Sequence, residues 1–348
     1  MATVTEIAQR VGVSPQTVSR VLNGDFKGTY PKVVKRAQRI RQVAEEMGYR
    51  SNTAAQAVRS GRFAALGLLL STTRHFSHLP GGLLQGLQEA TEASDEHLTI
   101  GRVPDAKLAD EGHVPKILRR WAVDGLLINY QYHLPAGMNE QIRRHRVPAV
   151  WINADLPHDC VRLDDLDAGR RLTEHLLAQG HTRIAYVDFS HGRVELPAEH
   201  YSATHRAAGY EQAMCDAGLP PRIIRPEHTL EPPHSFEHAR GLLQRDDRPA
   251  AVITYSSNYA HMFAVAAMLE GLTCGKDLEL ATFAEAPVFP HFGYSPITMV
   301  EPGVKLGRAA VAMLHEKINQ PAAALPARKL PFELTRFQPG LVTVPPLV

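Results

Sequence analysis

Apolar positions follow two different periods along the chain. Between residues 3 and 48 they recur every three or four residues, as on one face of an amphipathic helix. From residue 63 onward, short continuous apolar runs such as AALGLLL (64–70) and GLLINY (125–130) alternate with helical patterns. Such alternation is typical of parallel sheets that helices cover on both faces. The pattern therefore predicts a small helical unit followed by a larger α/β region.

Local signals divide the first region into helices. Thr3 and Glu6 fit a capping box, and Gly12 permits the left-handed conformation that ends a helix. Ser14 is a suitable N-cap for a second helix that has Pro15 at its first position. The core positions predicted for these two helices and for a third, over 31–47, are Ile7, Ala8, Val11, Val18, Val21, Leu22, Val33, Ala37, Ile40, Ala44 and Met47.

The outer face of the second helix is polar. Its amide, hydroxyl and guanidinium groups are suited to base edges and phosphates in a DNA major groove. The residues of this face are Gln16, Thr17, Ser19 and Arg20. Taken alone, the face could equally be the solvated side of a small helical domain.

The whole stretch TVTEIAQRVGVSPQTVSRVLN, from Thr3 to Asn23, closely resembles the DNA-binding headpiece of the lactose-repressor (LacI/GalR) family. The resemblance continues through Tyr49 and Asn52 and through the alternating α/β pattern almost to the C-terminus. It implies an N-terminal three-helix helix-turn-helix headpiece (1–50), a hinge helix or linker (51–62), and a two-lobed periplasmic-binding-protein-like core of parallel sheets (63–348). The predicted fold class is α/β.

The core pattern contains two successive sets of strands and helices, which predict two open-sheet lobes with ligand bound at the carboxyl ends of the strands. The predicted strands are 64–70, 97–103, 125–130, 148–153, 161–163, 183–189, 250–255 and 278–283, and the predicted helices are 81–94, 114–121, 139–145, 167–179, 202–217, 235–244 and 259–269. The resemblance implies that the chain crosses between lobes near 163, 295 and 327, with lobe 1 over about 63–163 and 295–326 and lobe 2 over about 164–294 and 327–348.

In the family, the hinge folds when two subunits meet on DNA and inserts an apolar residue into the minor groove. That residue is usually Leu, whereas this chain has the shorter, β-branched Val58, so we expect a shallower wedge. A flexible linker without groove contact is the alternative. The residues predicted to contact DNA are Thr5, Ser14, Gln16, Thr17, Ser19, Arg20, Asn23, Tyr49, Asn52, Ala55, Val58 and Arg59.

The resemblance also implies a small-molecule effector between the lobes. Arg206 falls on the arginine with which family members hold their effector, although a single Arg on a helix can also be a surface ion-pair partner. The predicted effector-binding residues are Thr72, Thr73, Phe76, Tyr130, Asn153, Arg206, Ser256 and Glu285.

Two departures from the family pattern bear on the effector. Ser256 and Ser257 stand where sugar-binding members have Asn-Asp, and Ala284 stands where they have an Asp that accepts from sugar hydroxyls. Loss of an acid near the predicted Arg206 site favours a ligand that pairs with the guanidinium. We therefore expect an atypical sugar, a sugar acid or phosphate, or another small anion, unless Glu285 or Asp188 supplies the acceptor.

Charge is divided unevenly along the chain. Residues 1–62 carry eleven Lys and Arg against four Asp and Glu, a net charge of +7, while the remainder carries 27 against 32, a net charge of −5. A basic head on a mildly acidic body is expected when only the head meets a phosphate backbone.

Several classes of protein are disfavoured. The three cysteines form no C-x-x-C, and no H-E-x-x-H, G-x-S-x-G or P-loop pattern is present, so neither an enzyme nor a cofactor is predicted. No apolar run approaches the roughly 20 residues of a membrane span, and the N-terminus lacks a signal-peptide pattern. We therefore expect a cytoplasmic protein that does not bind membranes.

Two functions remain open from the sequence. The preferred one is an effector-controlled transcriptional repressor that binds a near-palindromic double-stranded DNA operator as a homodimer. A dimer is expected because the chain ends at Val348 without the heptad tail that forms tetramers in some relatives. The alternative is a sugar-binding or sugar-modifying protein whose headpiece is vestigial.

Overall fold

The computed structural model describes residues 2–22, 30–49, 61–73, 77–109, 113–130, 134, 137–190, 200–226, 232–288 and 293–336. The chain divides into two compact units, Met1–Phe63 and Ala64–Val348. Within the described residues, no helix is both long enough and apolar enough to cross a membrane.

The first unit contains the helices α1 (Val4–Val11), α2 (Pro15–Leu22) and α3 (Pro31–Glu46). The capping box at the start of α1 is confirmed, because the Thr3 amide donates to Glu6 Oε2 at 2.8 Å and the Glu6 amide donates to Thr3 Oγ1 at 3.3 Å. Gly12 ends the helix with a φ of 73°. These short-range signals fix both ends of α1.

Eight buried side chains form the core of this unit: Ile7, Ala8, Val18, Val21, Ala37, Ile40, Val43 and Ala44. Val43 was not among the predicted positions, whereas Val33, which was, is only half-buried. The apolar stripe of a globular helix spans three or four positions in two turns. Val43 widens that stripe beside Ile40, while Val33 lies in the first turn of α3.

Two six-stranded sheets form the second unit. Their strands are β1 (Ala65–Ser71), β2 (His97–Val103), β3 (Gly125–Asn129), β4 (Ala149–Ile152), β5 (Cys160–Leu163), β6 (Ile184–Val187), β7 (Arg222–Ile224), β8 (Ala251–Thr254), β9 (Glu279–Ala284), β10 (Ile297–Val300), β11 (Arg328–Leu330) and β12 (Glu333–Thr335). The strand orders are β11-β5-β4-β3-β1-β2 and β12-β10-β9-β8-β6-β7. Every strand pairing is parallel except that of β10 with β12.

The helices described in this unit are α4 (Gly81–Ala93), α5 (Asp105–Ala109), α6 (His113–Trp121), α7 (Met138–Arg144), α8 (Asp165–Ala178), α9 (Tyr201–Asp216), α10 (Pro232–Leu243), α11 (Ser257–Leu269) and α12 (Gly303–Asn319). Seven of them correspond to predicted helices, but α5 and α12 were missed. Four strands, β7, β10, β11 and β12, were also missed.

The sheets correct two of the predicted lobe boundaries. β10 pairs with β9 in the second sheet, with Thr298 opposite Thr282, so the second crossing follows residue 300 and not 295. β11 belongs to the first sheet and β12 to the second, so the third crossing lies at 331–332 and not at 327. The first crossing, after β5, agrees with the predicted position near 163.

Glycines allow unusually close helix packing in the second lobe. A Cβ on Gly169 of α8 would lie 2.1 Å from the Arg206 carbonyl oxygen, and a Cβ on Gly209 of α9 would lie 2.1 Å from the Leu166 carbonyl oxygen. The two helix backbones can approach this closely only because neither residue has a side chain. This packing places Arg206 beside the N-terminus of α8.

Candidate functional site

The polar face predicted on α2 is exposed at two of its four positions. Gln16 and Arg20 are exposed, while Thr17 and Ser19 are half-buried. Val18 and Val21 are buried on the opposite side, so the core holds this face outward. The amphipathic period of α2 therefore presents an amide and a guanidinium to a partner.

The remaining headpiece residues fall into three groups. Thr5 and Ser14 are exposed, and the Ser14 hydroxyl also binds the Thr17 hydroxyl at 2.9 Å at the start of α2. Tyr49 is half-buried and packs against the headpiece core, so only part of its side chain is available to DNA. The other predicted DNA contacts, Asn23, Asn52, Ala55, Val58 and Arg59, lie outside the described residues.

A cavity of about 670 Å³ lies between the two lobes. It is reached from the carboxyl ends of β4, β8, β9 and β10, where ligands bind in open α/β sheets. Four of the predicted effector-binding residues line it: Asn153, Arg206, Ser256 and Glu285. This volume is typical of a small-molecule site.

Three other predicted effector residues need correction. Tyr130 is fully buried, and its hydroxyl donates to the Val103 carbonyl oxygen at 3.1 Å, so it belongs to the core of the first lobe. Thr72 and Thr73 are exposed and lie away from the cavity wall that the described residues form. Phe76 lies outside the described residues.

Of the two carboxylates expected as possible acceptors for the effector, Glu285 lines the cavity, whereas Asp188 is buried and accepts from the Ser190 hydroxyl at 2.6 Å.

Arg206 is the centre of the cavity's polar network. Its Nε donates to Asp165 Oδ1 at 2.7 Å, and its Nη2 donates to Glu301 Oε1 at 3.1 Å. Its Nη1 donates to the Tyr255 carbonyl oxygen at 3.2 Å, and the guanidinium carbon lies 4.4 Å from the centre of the Phe283 ring. Every nitrogen of the guanidinium therefore has a protein acceptor.

The partners of Arg206 come from the crossings between the lobes. Asp165 follows β5 at the first crossing, and Glu301 follows β10 at the second. The ring of Phe332, at the third crossing, lies 5.3 Å from the guanidinium carbon. One side chain on α9 thus contacts all three connecting segments.

Burial and charge act against each other in this network. Burial by itself lowers the pKa of the Arg206 guanidinium, but the attraction of Asp165 and Glu301 more than compensates and raises that pKa above its ordinary value. Burial raises the pKa of Glu301, and Arg206 opposes that rise. The absence of an acid at Ala284 therefore does not leave Arg206 without acidic neighbours, because two other segments supply carboxylates.

A second network joins the lobes beside Asn153, which has a φ of 56° that asparagine tolerates better than most residues. The Asn153 carbonyl oxygen lies 3.0 Å from His200 Nε2, and its side-chain oxygen accepts from the Tyr201 hydroxyl at 2.6 Å. Burial lowers the pKa of His200, which favours the neutral imidazole. Since a carbonyl can only accept, Nε2 carries the proton, and Nδ1 accepts from the Ser202 hydroxyl at 2.7 Å.

His78 and Glu285 form a contact across the cavity mouth. His78 follows β1 in the first lobe, Glu285 follows β9 in the second, and the imidazole Nε2 binds a carboxylate oxygen. The hydrogen bond to Glu285 raises the pKa of His78, although partial burial opposes the rise. Neither His78 nor Glu301 was predicted from the sequence as an effector-binding residue. A reading of ITMV as a strand would have pointed to Glu301, which directly follows it.

We expect the variant Glu285→Gln to lower the pKa of His78, because the amide removes the charge that stabilises the imidazolium. The nearby Glu301 remains as a second attracting carboxylate. The pair contributes stability below the ordinary histidine pKa of 6.5, and this contribution is lost as pH rises through the raised value. Both side chains are about half exposed, so the contribution is small.

NMR titration of the histidine ring protons would measure this shift, with His78→Gln used to identify the resonance. An unchanged titration of His78 in the Glu285→Gln variant would show that the cross-cavity pair does not form.

Comparison with known proteins supports both parts of this structure. The family model for bacterial regulatory proteins of the lacI family matches residues 3–52, and the model for the periplasmic binding protein-like domain matches residues 173–336. The HTH-type transcriptional regulator DegA of Bacillus subtilis (strain 168) is 28% identical over 312 residues, which cover 87% of each chain. The chain belongs to the LacI/GalR family.

The fold of this LacI-family chain is also that of the Lac repressor. A crystal structure of the Lac repressor bound to ONPG in the repressed state superposes with a TM-score of 0.74 at 22% identity, over 96% of this chain and 98% of that one. The structure of the Lac repressor dimer bound to operator and the anti-inducer ONPF gives a TM-score of 0.72 with the same identity and coverage. The predicted family, fold class and DNA-binding regulator class are confirmed.

Proposed function

We propose that this chain is a ligand-responsive repressor that binds a near-palindromic operator as a homodimer. A small molecule in the cavity between the lobes would change their relative angle and thereby the DNA affinity. The observation that carries the proposal is the presence, in one chain, of a cavity lined by convergent polar groups and of a helix-turn-helix unit with an exposed polar face. The Lac repressor, which shares the fold, has been crystallised as a dimer on its operator.

The proposed DNA contacts are the exposed positions of the headpiece together with the residues that follow it. We place direct or phosphate contacts at Thr5, Ser14, Gln16, Thr17, Ser19, Arg20, Asn23 and Tyr49, and hinge contacts at Asn52, Ala55, Val58 and Arg59. We propose the division into headpiece 1–50, hinge 51–62 and core from 63 onward, which fits the separation of the compact units at Phe63. The proposed effector contacts are Asn153, Arg206, Ser256 and Glu285.

The headpiece bears on the alternative function. A vestigial headpiece is under no constraint to keep its helix caps, its core or its polar face. The capping box of α1 and the eight-residue core are both intact. The curated relative DegA is named as a transcriptional regulator and not as an enzyme. These observations favour the regulator over a sugar-binding or sugar-modifying protein.

Operator binding should fall steeply with salt and should depend on Arg20. Selection of bound sequences from random duplexes would yield the operator, and fluorescence anisotropy would then give its affinity at several salt concentrations. Each neutralised phosphate contributes about −0.9 to the log–log slope. Arg20→Ala should weaken binding by about 1–3 kcal/mol if Arg20 reads a guanine, or make the slope shallower by about 1 if it binds phosphate.

Arg245→Ala is the matched control, because Arg245 is an exposed arginine of the core that pairs with Asp247. It should leave both the affinity and the salt slope unchanged. A flat salt dependence of the unaltered protein, or an Arg20→Ala variant that binds as tightly as the unaltered protein, would contradict a DNA-binding role for this face.

A further inference from the structure

Carboxylates of the protein itself neutralise the charge of Arg206 in the absence of a ligand. Its side chain is only 7% exposed, and its two ion-pair partners are Asp165, whose side chain is fully buried, and Glu301. A guanidinium that served as a receptor for an anion would need a free edge directed into the cavity. Here each nitrogen already donates to a protein oxygen, so an anion could reach at most the one N–H that remains on each of Nη1 and Nη2, beside the two carboxylates.

Asp165 is held in place by the backbone. It lies at the first position of α8, and the close contact of α8 with α9 at Gly169 and Gly209 fixes the backbone of Arg206 near the start of α8. Asp165 Oδ2 is buried and has no hydrogen-bond partner among the described residues. Its charge is therefore compensated chiefly by Arg206, and the two side chains are mutually dependent.

The wall of the cavity adds further negative charge. Glu285 and Glu301 both line it, and the Glu301 side chain is 23% exposed, so part of that carboxylate is available to a ligand. Among the charged groups that meet here, Arg206 and a protonated His78 face Asp165, Glu285 and Glu301, while the cavity is also lined by His261 and by His200, whose lowered pKa favours the neutral imidazole. An anion that left water for this site would meet a net negative charge, which opposes its binding.

We propose that Asp165 and Glu301 together set the ligand selectivity of the cavity. Their ion pairs with Arg206 neutralise the guanidinium and so exclude anionic effectors. Glu301 and Glu285 accept hydrogen bonds from an effector that carries hydroxyl groups or a protonated amine. Asp165 is a positioning residue that acts through Arg206, whereas Glu301 contacts the ligand itself. This inference rests on the proposed effector role of the cavity, and it reverses the expectation of a small anion.

Binding of inorganic phosphate to the full chain, measured by isothermal titration calorimetry, tests the proposal without knowledge of the effector. With no DNA present in the calorimeter cell, the unaltered protein should show no saturable binding of phosphate. The double variant Asp165→Asn/Glu301→Gln removes both counter-charges while keeping the side-chain shapes. It should bind phosphate saturably, with a dissociation constant about tenfold or more below the highest phosphate concentration at which the unaltered protein shows no binding. The gained binding should be abolished by adding Arg206→Gln. A residue with only a structural role would not produce such a gain.

Two further variants keep the test decisive. Asp167→Asn alters an acid of the same helix that pairs with the surface residue Arg170, and should gain no phosphate binding. If the double variant does not fold, Glu301→Gln alone, which changes a partly exposed side chain, should still gain phosphate binding. The proposal is overturned if no folded variant gains such binding, or if the unaltered protein binds phosphate in a manner that requires Arg206.

The same proteins also distinguish the inference from the proposed function. The affinity of the unaltered protein would be measured for glucose, glucosamine and glucuronate, and for the corresponding neutral, amino and acid forms of other sugars. Within each set of three, the sugar acid should bind most weakly. An acid that binds most tightly would overturn the selectivity. Failure of the regulator role would instead appear as absence of operator binding, which the phosphate measurement does not involve.

Discussion

Replacing Arg206 with alanine is expected to lower the free energy of unfolding of the core by about 3–5 kcal/mol. The change would leave Asp165 as an uncompensated charge in a fully buried position and would remove a donor from Glu301. It would also remove the contacts of the guanidinium with the rings of Phe283 and Phe332. This cost is large because a buried carboxylate without a partner has neither water nor a counter-ion to stabilise it.

Urea denaturation followed by tryptophan fluorescence would measure this loss. Both tryptophans, Trp121 and Trp151, lie in the core, so the signal does not report on the headpiece. Arg170→Ala is the matched control, because Arg170 pairs with Asp167 and Glu174 on the surface of the same lobe. Surface pairs contribute about 0–1 kcal/mol. A loss of similar size in both variants would show that Arg206 does not carry a buried ion pair.

The second large effect is expected in the headpiece. Ile40 is fully buried at the centre of the core that α1, α2 and α3 share. Replacing it with alanine should cost about 2–5 kcal/mol. So small a unit is stabilised by only about 3–5 kcal/mol, so we expect the headpiece of Ile40→Ala to unfold and operator binding to be lost.

Operator affinity and thermal melting would show this outcome together. The transition of the headpiece should disappear from the far-UV circular dichroism melt, while the tryptophan-detected unfolding of the core stays unchanged. Val34→Ala, on the same helix but 38% exposed, should alter stability by less than about 0.5 kcal/mol and keep operator binding. Operator binding by Ile40→Ala at the original affinity would contradict this account of the headpiece core.

The elements that were missed share weak local signals. β7, β11 and β12 contain three residues each, which is too short for an alternating pattern to stand out. They are strands because neighbouring strands supply their hydrogen bonds, as β10 does for β12. The two misplaced lobe boundaries follow from the same cause, since β10 and β11 mark where the chain changes sheets.

The expectation of an anionic effector depended on a different kind of signal. The expectation of an anion came from a single position, Ala284, at which the family pattern has an acid. The charge around Arg206 is instead set by Asp165 and Glu301, which lie 41 and 95 residues away from it along the chain. No local pattern joins these three residues, because their meeting depends on how α8, α9 and β10 pack.

The sequence by itself determined both ends of α1, the start of α2, the helical repeat that buries Ile40, and most of the alternating elements of the core. These features depend on interactions within about four residues or on apolar periodicity, both of which can be read along the chain. Only the tertiary structure decided which groups surround the cavity, and how their charges balance. Electrostatic interactions depend on distance in space and on burial, and Asp165, Arg206 and Glu301 acquire both only when the two lobes are folded.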